Sequence, residues 1–281
     1  MKLLLWISVG IFCLVTSVNA QKNRQKNPTD KTVLNQLPKG VIAALNLPYR
    51  EGNERWTLDL FYPENIHDAT PAIVFIHGGG WRNGNKRKWG ILNAAMTFAK
   101  KGYVTASLNY RLIQKNENPA VGIQNGVEDV KCAVRWLRAN AEKYNIDPKR
   151  IGGYGNSAGA QLFSMLGLCP PSAGLEGDGP YQEYSSNIQA VVASATPTDF
   201  TLFESNEQKR QEELSKKLSP ITYVHKNAPP FLLFHDTADK TVDIKHSDTF
   251  VAALKKAKAK DVTYKSYNNG SGHGVSYKNA D

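Results

Sequence analysis

A mostly parallel β-sheet flanked by helices, built as a single α/β domain, is predicted by three observations. Short apolar runs alternate along the chain with longer amphipathic ones, the order that a parallel sheet needs for its crossovers. The central runs, such as Ala72-Ile73-Val74-Phe75-Ile76, are apolar at every position, which suits a strand covered on both faces. The 281 residues, 41% hydrophobic and 21% charged, are enough for one large core, and this composition excludes intrinsic disorder and fibrous or collagen-like chains.

The chain opens with Lys2, an apolar run from Leu3 to Val15 and the small-residue stretch Val18-Asn19-Ala20. This is the pattern of a secretory signal peptide over residues 1–20, cleaved before Gln21, and it predicts a secreted or periplasmic protein. The 13-residue run is too short to cross a hydrocarbon layer about 30 Å thick, and no later run is long enough, so no membrane span is expected. Cys13 lies inside the apolar run behind bulky Phe12, which argues against lipid attachment. Residues 21–39 are polar, lysine-rich and free of helical or alternating pattern; they are expected to form a flexible or surface-bound leading segment before a folded domain over 40–281.

Within that domain Trp56 to Tyr62 alternates as a half-buried strand does, Ala72 to Ile76 is a buried strand, and residues 88–101 carry helical spacing. Tyr103 to Asn109 is the next strand. Val130, Val134, Leu137 and Ala141 share one face of a helix from about Val127 to Lys143. Strand Arg150 to Tyr154 leads into a helix beginning around Ser157, followed by strands Ile188 to Ala195 and Pro230 to Phe234, a helix from Ile244 to Ala257 and a last strand Val262 to Tyr267. Two stretches within 168–218, Leu168 to Asn187 rich in Gly, Pro and Ser and Asp199 to Ser219 rich in charge, are poor in core residues and read as lid or rim insertions. There is no internal repeat. After loss of the leader Cys132 and Cys169 remain, expected as two buried thiols, although an oxidising compartment would permit a bridge.

The strongest chemical signal is Gly155-Asn156-Ser157-Ala158-Gly159, because it follows an apolar strand and opens a helix. Glycines two positions either side of the serine allow a sharp strand-to-helix turn, and the helix N-terminus favours negative charge, so Ser157 is the candidate nucleophile. On its own the motif is equally a glycine-rich turn with an ordinary serine. It is joined by His77-Gly78-Gly79-Gly80-Trp81, directly after the strand Ala72 to Ile76. Backbone N–H groups unshielded by side chains can stabilise the charge that develops on a carbonyl oxygen, which makes Gly79, Gly80 and Ala158 the candidate oxyanion donors. A phosphate-binding loop is the rival reading, but the Lys-Ser/Thr ending and the G-x-G-x-x-G spacing are both missing.

A serine nucleophile needs a base and an orienting acid, which in this architecture follow later strands in the order acid, then histidine. Pro230 to Phe234 runs into His235-Asp236-Thr237-Ala238-Asp239, and Val262 to Tyr267 runs into Ser271-Gly272-His273-Gly274. His273 is the candidate base. Asp239 is favoured as the acid over Asp236, which sits at the strand exit itself. The other histidines, His67, His77, His225, His235 and His246, read as structural or surface residues. Trp81 and Tyr181 are candidates to line an acyl pocket, although either could be packing.

With these motifs the sequence resembles the α/β-hydrolase superfamily over roughly residues 45–275, and within it esterases with an H-G-G-G-W oxyanion loop that are similar to hormone-sensitive-lipase-like enzymes. Asn109-Tyr110-Arg111-Leu112, Val134-Arg135-Trp136-Leu137, Leu175-Glu176-Gly177 and Thr196-Pro197-Thr198-Asp199-Phe200 resemble the bifunctional acetylxylan and feruloyl esterase group. The resemblance implies Ser157 as nucleophile, His273 as base, Asp239 as acid, an oxyanion hole from the loop and elbow amides, and no metal or organic cofactor. Its implied substrates are small esters or acylated plant polysaccharide. Where such proteins add a closing helix, this sequence has only Gly274 to Asp281 after the base: either the final helix is absent, which would leave the His273 loop less braced, or the sequence is truncated.

The net charge of +10 falls to 34 basic against 25 acidic residues without the leader. Basic residues cluster at Lys22 to Lys31, Lys86-Arg87-Lys88 and Lys255 to Lys260, and are expected as solvated faces; a positive field attracting acidic glycans is compatible with them. No groove-entering element or aromatic interleaving accompanies them, so nucleic acid is not an expected partner. Two rivals to an esterase stand: a serine peptidase or amidase of the same fold, and an inactive hydrolase-like binding protein.

Overall fold

In the computed structural model, which describes residues 27–203 and 216–274, the apolar runs assemble one eight-stranded sheet. The strands are β1 (Val41–Pro48), β2 (Thr57–Pro63), β3 (Thr70–Ile76), β4 (Val104–Leu108), β5 (Ile146–Asn156), β6 (Ala190–Ser194), β7 (Phe231–Asp236) and β8 (Val262–Tyr267), in the spatial order β1-β2-β4-β3-β5-β6-β7-β8. β1 and β2, and β2 and β4, pair antiparallel; every other pair is parallel. The mostly parallel α/β sheet is thus as the sequence predicts. The predicted signal peptide, the start of the leading segment, residues 204–215 of the second insertion and residues 275–281 lie outside the described residues.

The central strands are apolar throughout because both faces are covered. On β3, Ala72, Val74 and Ile76 pack with α3 (Pro119–Ala139) and α4 (Ala158–Leu168), while Phe75 and Ile73 join the cluster of α2 (Trp89–Lys100). Helix α5 (Lys245–Lys256) packs Phe250 and Leu254 into the same cluster as α3. On the α2 side an apolar cavity of about 490 Å³ opens between Ile73, Phe98, Tyr103, Val192, Leu232 and Phe234; it holds none of the candidate site residues. From β3 the chain crosses to β4 on one side, then returns to β5 on the other. The loops leaving the carboxyl ends of β3 and β5 therefore part at a topological switch point, where open α/β sheets bind ligands.

Several elements differ from expectation. Residues Asp30–Asn35 of the leading segment, expected to be flexible or surface-bound but without helical pattern, form helix α1, capped by Thr29, with Val33 wholly buried against the α2 cluster. One buried valine and one capped turn in a polar stretch leave no period to read. β1 carries no strand signal in the sequence because it is an edge strand whose burial barely alternates. α3 starts at Pro119 rather than near Val127: Asn118 caps the Ala120 N–H and Pro119 takes the first turn, where its missing N–H costs nothing. Gly122 and Gly126 disguise those turns; a Cβ on Gly122 would lie 2.5 Å from Ile113 Cγ1. β5 likewise begins four residues before the predicted Arg150.

Two charged groups expected at the surface are buried. The basic run beside the glycine loop turns inward: Lys86 and Arg87 are buried and share Asp59, itself fully buried on β2, at 2.9 Å and 2.7 Å. The first insertion is an anchored belt rather than a loose lid. Glu176 pairs with Lys131 and with Arg135 at 2.8 Å, and Arg138 donates to the Ser185 and Asn187 carbonyls, all from the buried face of α3. By contrast, Lys255, Lys256, Lys258 and Lys260 are exposed as expected. Cys132 and Cys169 are separate buried thiols, both with pKa raised by burial.

Candidate active site

Ser157 sits between β5 and α4 at φ 55°, ψ −124°, a left-handed conformation that costs a non-glycine residue of order 1–3 kcal/mol. Close packing holds it there. A Cβ on Gly155 would meet the Gly159 carbonyl oxygen at 2.3 Å, and one on Gly159 would meet the Ile76 oxygen at the same distance, so both flanking glycines are needed for backbone to touch backbone. The Ser157 N–H donates to the Ser194 carbonyl on β6 at 2.9 Å, tying the turn to the neighbouring strand. Ala158 is the first residue of α4, and its N–H is one of the donors that a helix start leaves without an intrahelical acceptor.

The other two candidates arrive from β7 and β8. His273 lies on a single 3₁₀ turn, Gly272–Gly274, with Nε2 2.9 Å from Ser157 Oγ and Nδ1 2.8 Å from Asp239 Oδ2. A carboxylate only accepts, so Nδ1 carries the proton and Nε2 is left to accept the serine hydroxyl. Asp239 Oδ1 accepts the N–H groups of Thr241 (2.8 Å) and Val242 (3.0 Å). Burial alone would raise the Asp239 carboxyl, but these two amides and His273 together outweigh it and hold the group below its ordinary value. His235, behind it, approaches the same Oδ2 at 3.3 Å while donating from Nε2 to the Val242 carbonyl. Asp236, the competitor for the acid, does not touch His273; its oxygens accept backbone N–H groups from both loops.

The glycine loop runs against the elbow. A Cβ on Gly78 would come 2.6 Å from the Asn156 oxygen and 3.1 Å from Ser157 Cβ, an approach that singles out a glycine other than those chosen from sequence. Gly79 and Gly80 have φ of 136° and 59°, and the Gly79 carbonyl accepts the Arg82 and Asn83 N–H groups in a tight turn. His77 braces the loop from below: fully buried, it stacks on Tyr110 at 4.5 Å, donates from Nδ1 to the Gly78 carbonyl, and presents Nε2 to Arg55 at 3.4 Å. Trp81 donates to Gln161 Oε1 and packs on Phe200 at 5.5 Å, while Gln161 Nε2 donates to the Leu218 carbonyl, so loop, elbow helix and second insertion meet. Tyr181, in contrast, packs in the belt over α3, and among the described residues no hydrogen bond or ring contact ties it to the triad.

His77 gives the loop a pH dependence. Burial, reinforced by the Arg55 charge, lowers its pKa from 6.5 to about 3. The unfolded chain therefore takes up a proton that the folded one refuses, and each unit of acidification between those values favours unfolding by up to about 1.4 kcal/mol. Urea unfolding from pH 7 to 4.5 is expected to show a shallower loss of stability in His77→Gln than in the wild type. Parallel slopes would contradict a neutral His77.

The chain matches the BD-FAE family model over residues 58–254. It is 29% identical to a probable carboxylic ester hydrolase, LipM of Mycobacterium tuberculosis (strain ATCC 25618 / H37Rv), over 71% of this chain and 48% of that protein. The chain spans about half the length of the curated relatives it matches. Among solved structures it is similar to a truncated form of a carbohydrate esterase from gut microbiota (TM-score 0.73, 27% identity, 89% of this chain and 92% of that one). It is also similar to propionate-bound esterase 2 of Thermogutta terrifontis (TM-score 0.68, 26% identity, 82% and 84%). Both are α/β-hydrolase esterases, and the sheet described above is that fold. No helix among the described residues is long and apolar enough to cross a membrane.

Proposed function

The chain belongs to the BD-FAE family, and from that membership and the contacts of Ser157 we propose that it is a serine carboxylic ester hydrolase working through an acyl-enzyme. The observation that carries this reading is His273 Nε2 at 2.9 Å from the hydroxyl of a serine held at φ 55°. In the forward step Oγ attacks the acyl carbon as its proton passes to His273 Nε2, and Asp239, bonded to Nδ1, stabilises the imidazolium that forms. Negative charge on the former carbonyl oxygen meets the N–H groups of Gly79, Gly80 and Ala158. The imidazolium then returns its proton to the leaving alcohol. Water, deprotonated by the same nitrogen, releases the acid and restores the serine.

The finer proposal is an exported enzyme that removes short or aromatic acyl groups, acetyl or feruloyl, from plant polysaccharide. It is supported by the leader pattern, by the motifs shared with the acetylxylan and feruloyl esterase group, and by relatives described as a carbohydrate esterase and a propionate-bound esterase. Trp81 and Phe200, touching above Gln161, are placed to form one wall of the acyl pocket. The test offers acetylated xylan, a methyl hydroxycinnamate and a short peptide amide to the protein and to Ser157→Ala. Serine-dependent acid release from an ester is expected, and the preferred ester identifies the acyl group. Preference for the amide would favour a peptidase, and no release by folded protein would favour an inactive binding module.

A further inference from the structure

We infer that Asp236 is a positioning residue that holds the acid loop and the base loop in register, so that the Asp239–His273 bond forms before substrate arrives. The inference rests on the serine hydrolase reading above and extends it to a carboxylate outside the triad. Asp236 is the last residue of β7 and is fully buried. One of its oxygens, Oδ1, accepts the Ala238 N–H at 2.7 Å, on the turn that leads to Asp239. The other, Oδ2, accepts the Asn269 N–H at 3.4 Å and shares the Ser271 N–H with Asn269 Oδ1, each at 3.1 Å, on the turn that leads to His273. A single rigid group thus spans the two loops that carry the acid and the base.

The loops need such a tie. The stretch from Asn268 to His273 contains Gly270 and Gly272 at φ of 75° and 54°, conformations that glycine adopts freely and therefore does not enforce. Beyond the last paired residues of β7 and β8, Asp236 opposite Tyr267, the loops are joined by the Thr237 N–H to the Tyr267 carbonyl at 2.8 Å and by Thr237 Oγ1 to Asn268 Oδ1 at 2.9 Å. These contacts reach only the first residue of the His273 turn, whereas Asp236 reaches within two residues of the imidazole. Only an acceptor at both ends fits. In asparagine, one end of the group becomes an NH₂ that faces a backbone N–H on one loop or the other, donor against donor.

The experiment measures p-nitrophenyl acetate turnover by the full chain for Asp236→Asn, alone and in a His273→Ala background. If Asp236 works through His273, Asp236→Asn lowers kcat by about 10- to 100-fold with KM within about threefold, since small misplacements of a reacting group cost this much. In the His273→Ala background the same substitution then costs less than about threefold, because effects on one unit do not multiply. A kcat within threefold of wild type overturns the inference, and so does an equal loss in both backgrounds, which marks a general structural role. Should Asp236→Asn not fold, hydrogen exchange on the unaltered chain decides: protected Ala238 and Asn269 amides, whose acceptor is Asp236, support the tie, and exchange of either at the rate of a free peptide overturns it. Failure of the hydrolase reading shows separately, as wild-type turnover by Ser157→Ala.

Discussion

Ser157→Ala is expected to lower kcat/KM for p-nitrophenyl acetate by about 10⁴-fold or more while leaving thermal stability nearly unchanged. Removing Oγ removes the bond to His273 Nε2 and leaves every backbone contact of the elbow in place, including the Ser157 N–H to the Ser194 carbonyl. Alanine inherits the same left-handed strain at φ 55°, so the folded state gains and loses little. What remains is the oxyanion hole and substrate binding, which alone give a small residual acceleration. His273→Ala should fall nearly as far, and the double variant scarcely further, because nucleophile and base act as one unit. The measurement is initial rate against substrate for the three variants, with circular dichroism confirming fold. Wild-type rates in Ser157→Ala would place the chemistry elsewhere.

The parts of this arrangement legible in the sequence are those where one residue type has one physical reason to be present. Gly155 and Gly159 are legible because no side chain fits between strand, elbow and the β3 backbone. The apolar run of β3 is legible because both its faces are buried. Ser157, Asp239 and His273 each follow a strand end, and the structure brings all three within hydrogen-bond distance. From sequence Asp236 stands only as a rival for the acid, because a carboxylate tying backbone amides looks in sequence like one facing a histidine. The sequence predicts a solvated face at Lys86 and Arg87 for a similar reason: charge predicts exposure until a partner is known, and theirs, Asp59, lies on β2, far earlier in the chain. Tyr181 carries no local signal separating pocket from packing; the structure packs it, partly buried, against the main core cluster, a contact made across the fold and not along the sequence.

Asp59→Ala is expected to destabilise the fold by about 3–5 kcal/mol, the usual cost of removing one partner from a buried charge cluster. Asp59 lies on the alternating strand Trp56 to Tyr62 and is fully buried, with four donors on its two oxygens: Lys86 Nζ, Arg87 Nε and Nη2, and the Asn46 N–H at 2.7 Å. Without the carboxylate, two buried cations sit beside each other with only Asp30, more than half exposed, for compensation on Arg87. Burial already lowers the Lys86 pKa while Asp59 opposes that shift, so the variant favours loss of the lysine proton. The same cluster clamps the chain just after the glycine loop: the Lys86 N–H donates to Asn109 Oδ1 at 2.7 Å, and its carbonyl accepts the Ser107 hydroxyl. Activity should therefore fall together with stability, through disorder of residues 77–84 rather than through loss of a reacting group. Urea unfolding reads the first effect and kcat on p-nitrophenyl acetate the second. A loss below about 1 kcal/mol would mean that Lys86 and Arg87 regain water without unfolding, and that His77 and the Trp81–Gln161 bond hold the glycine loop without the cluster.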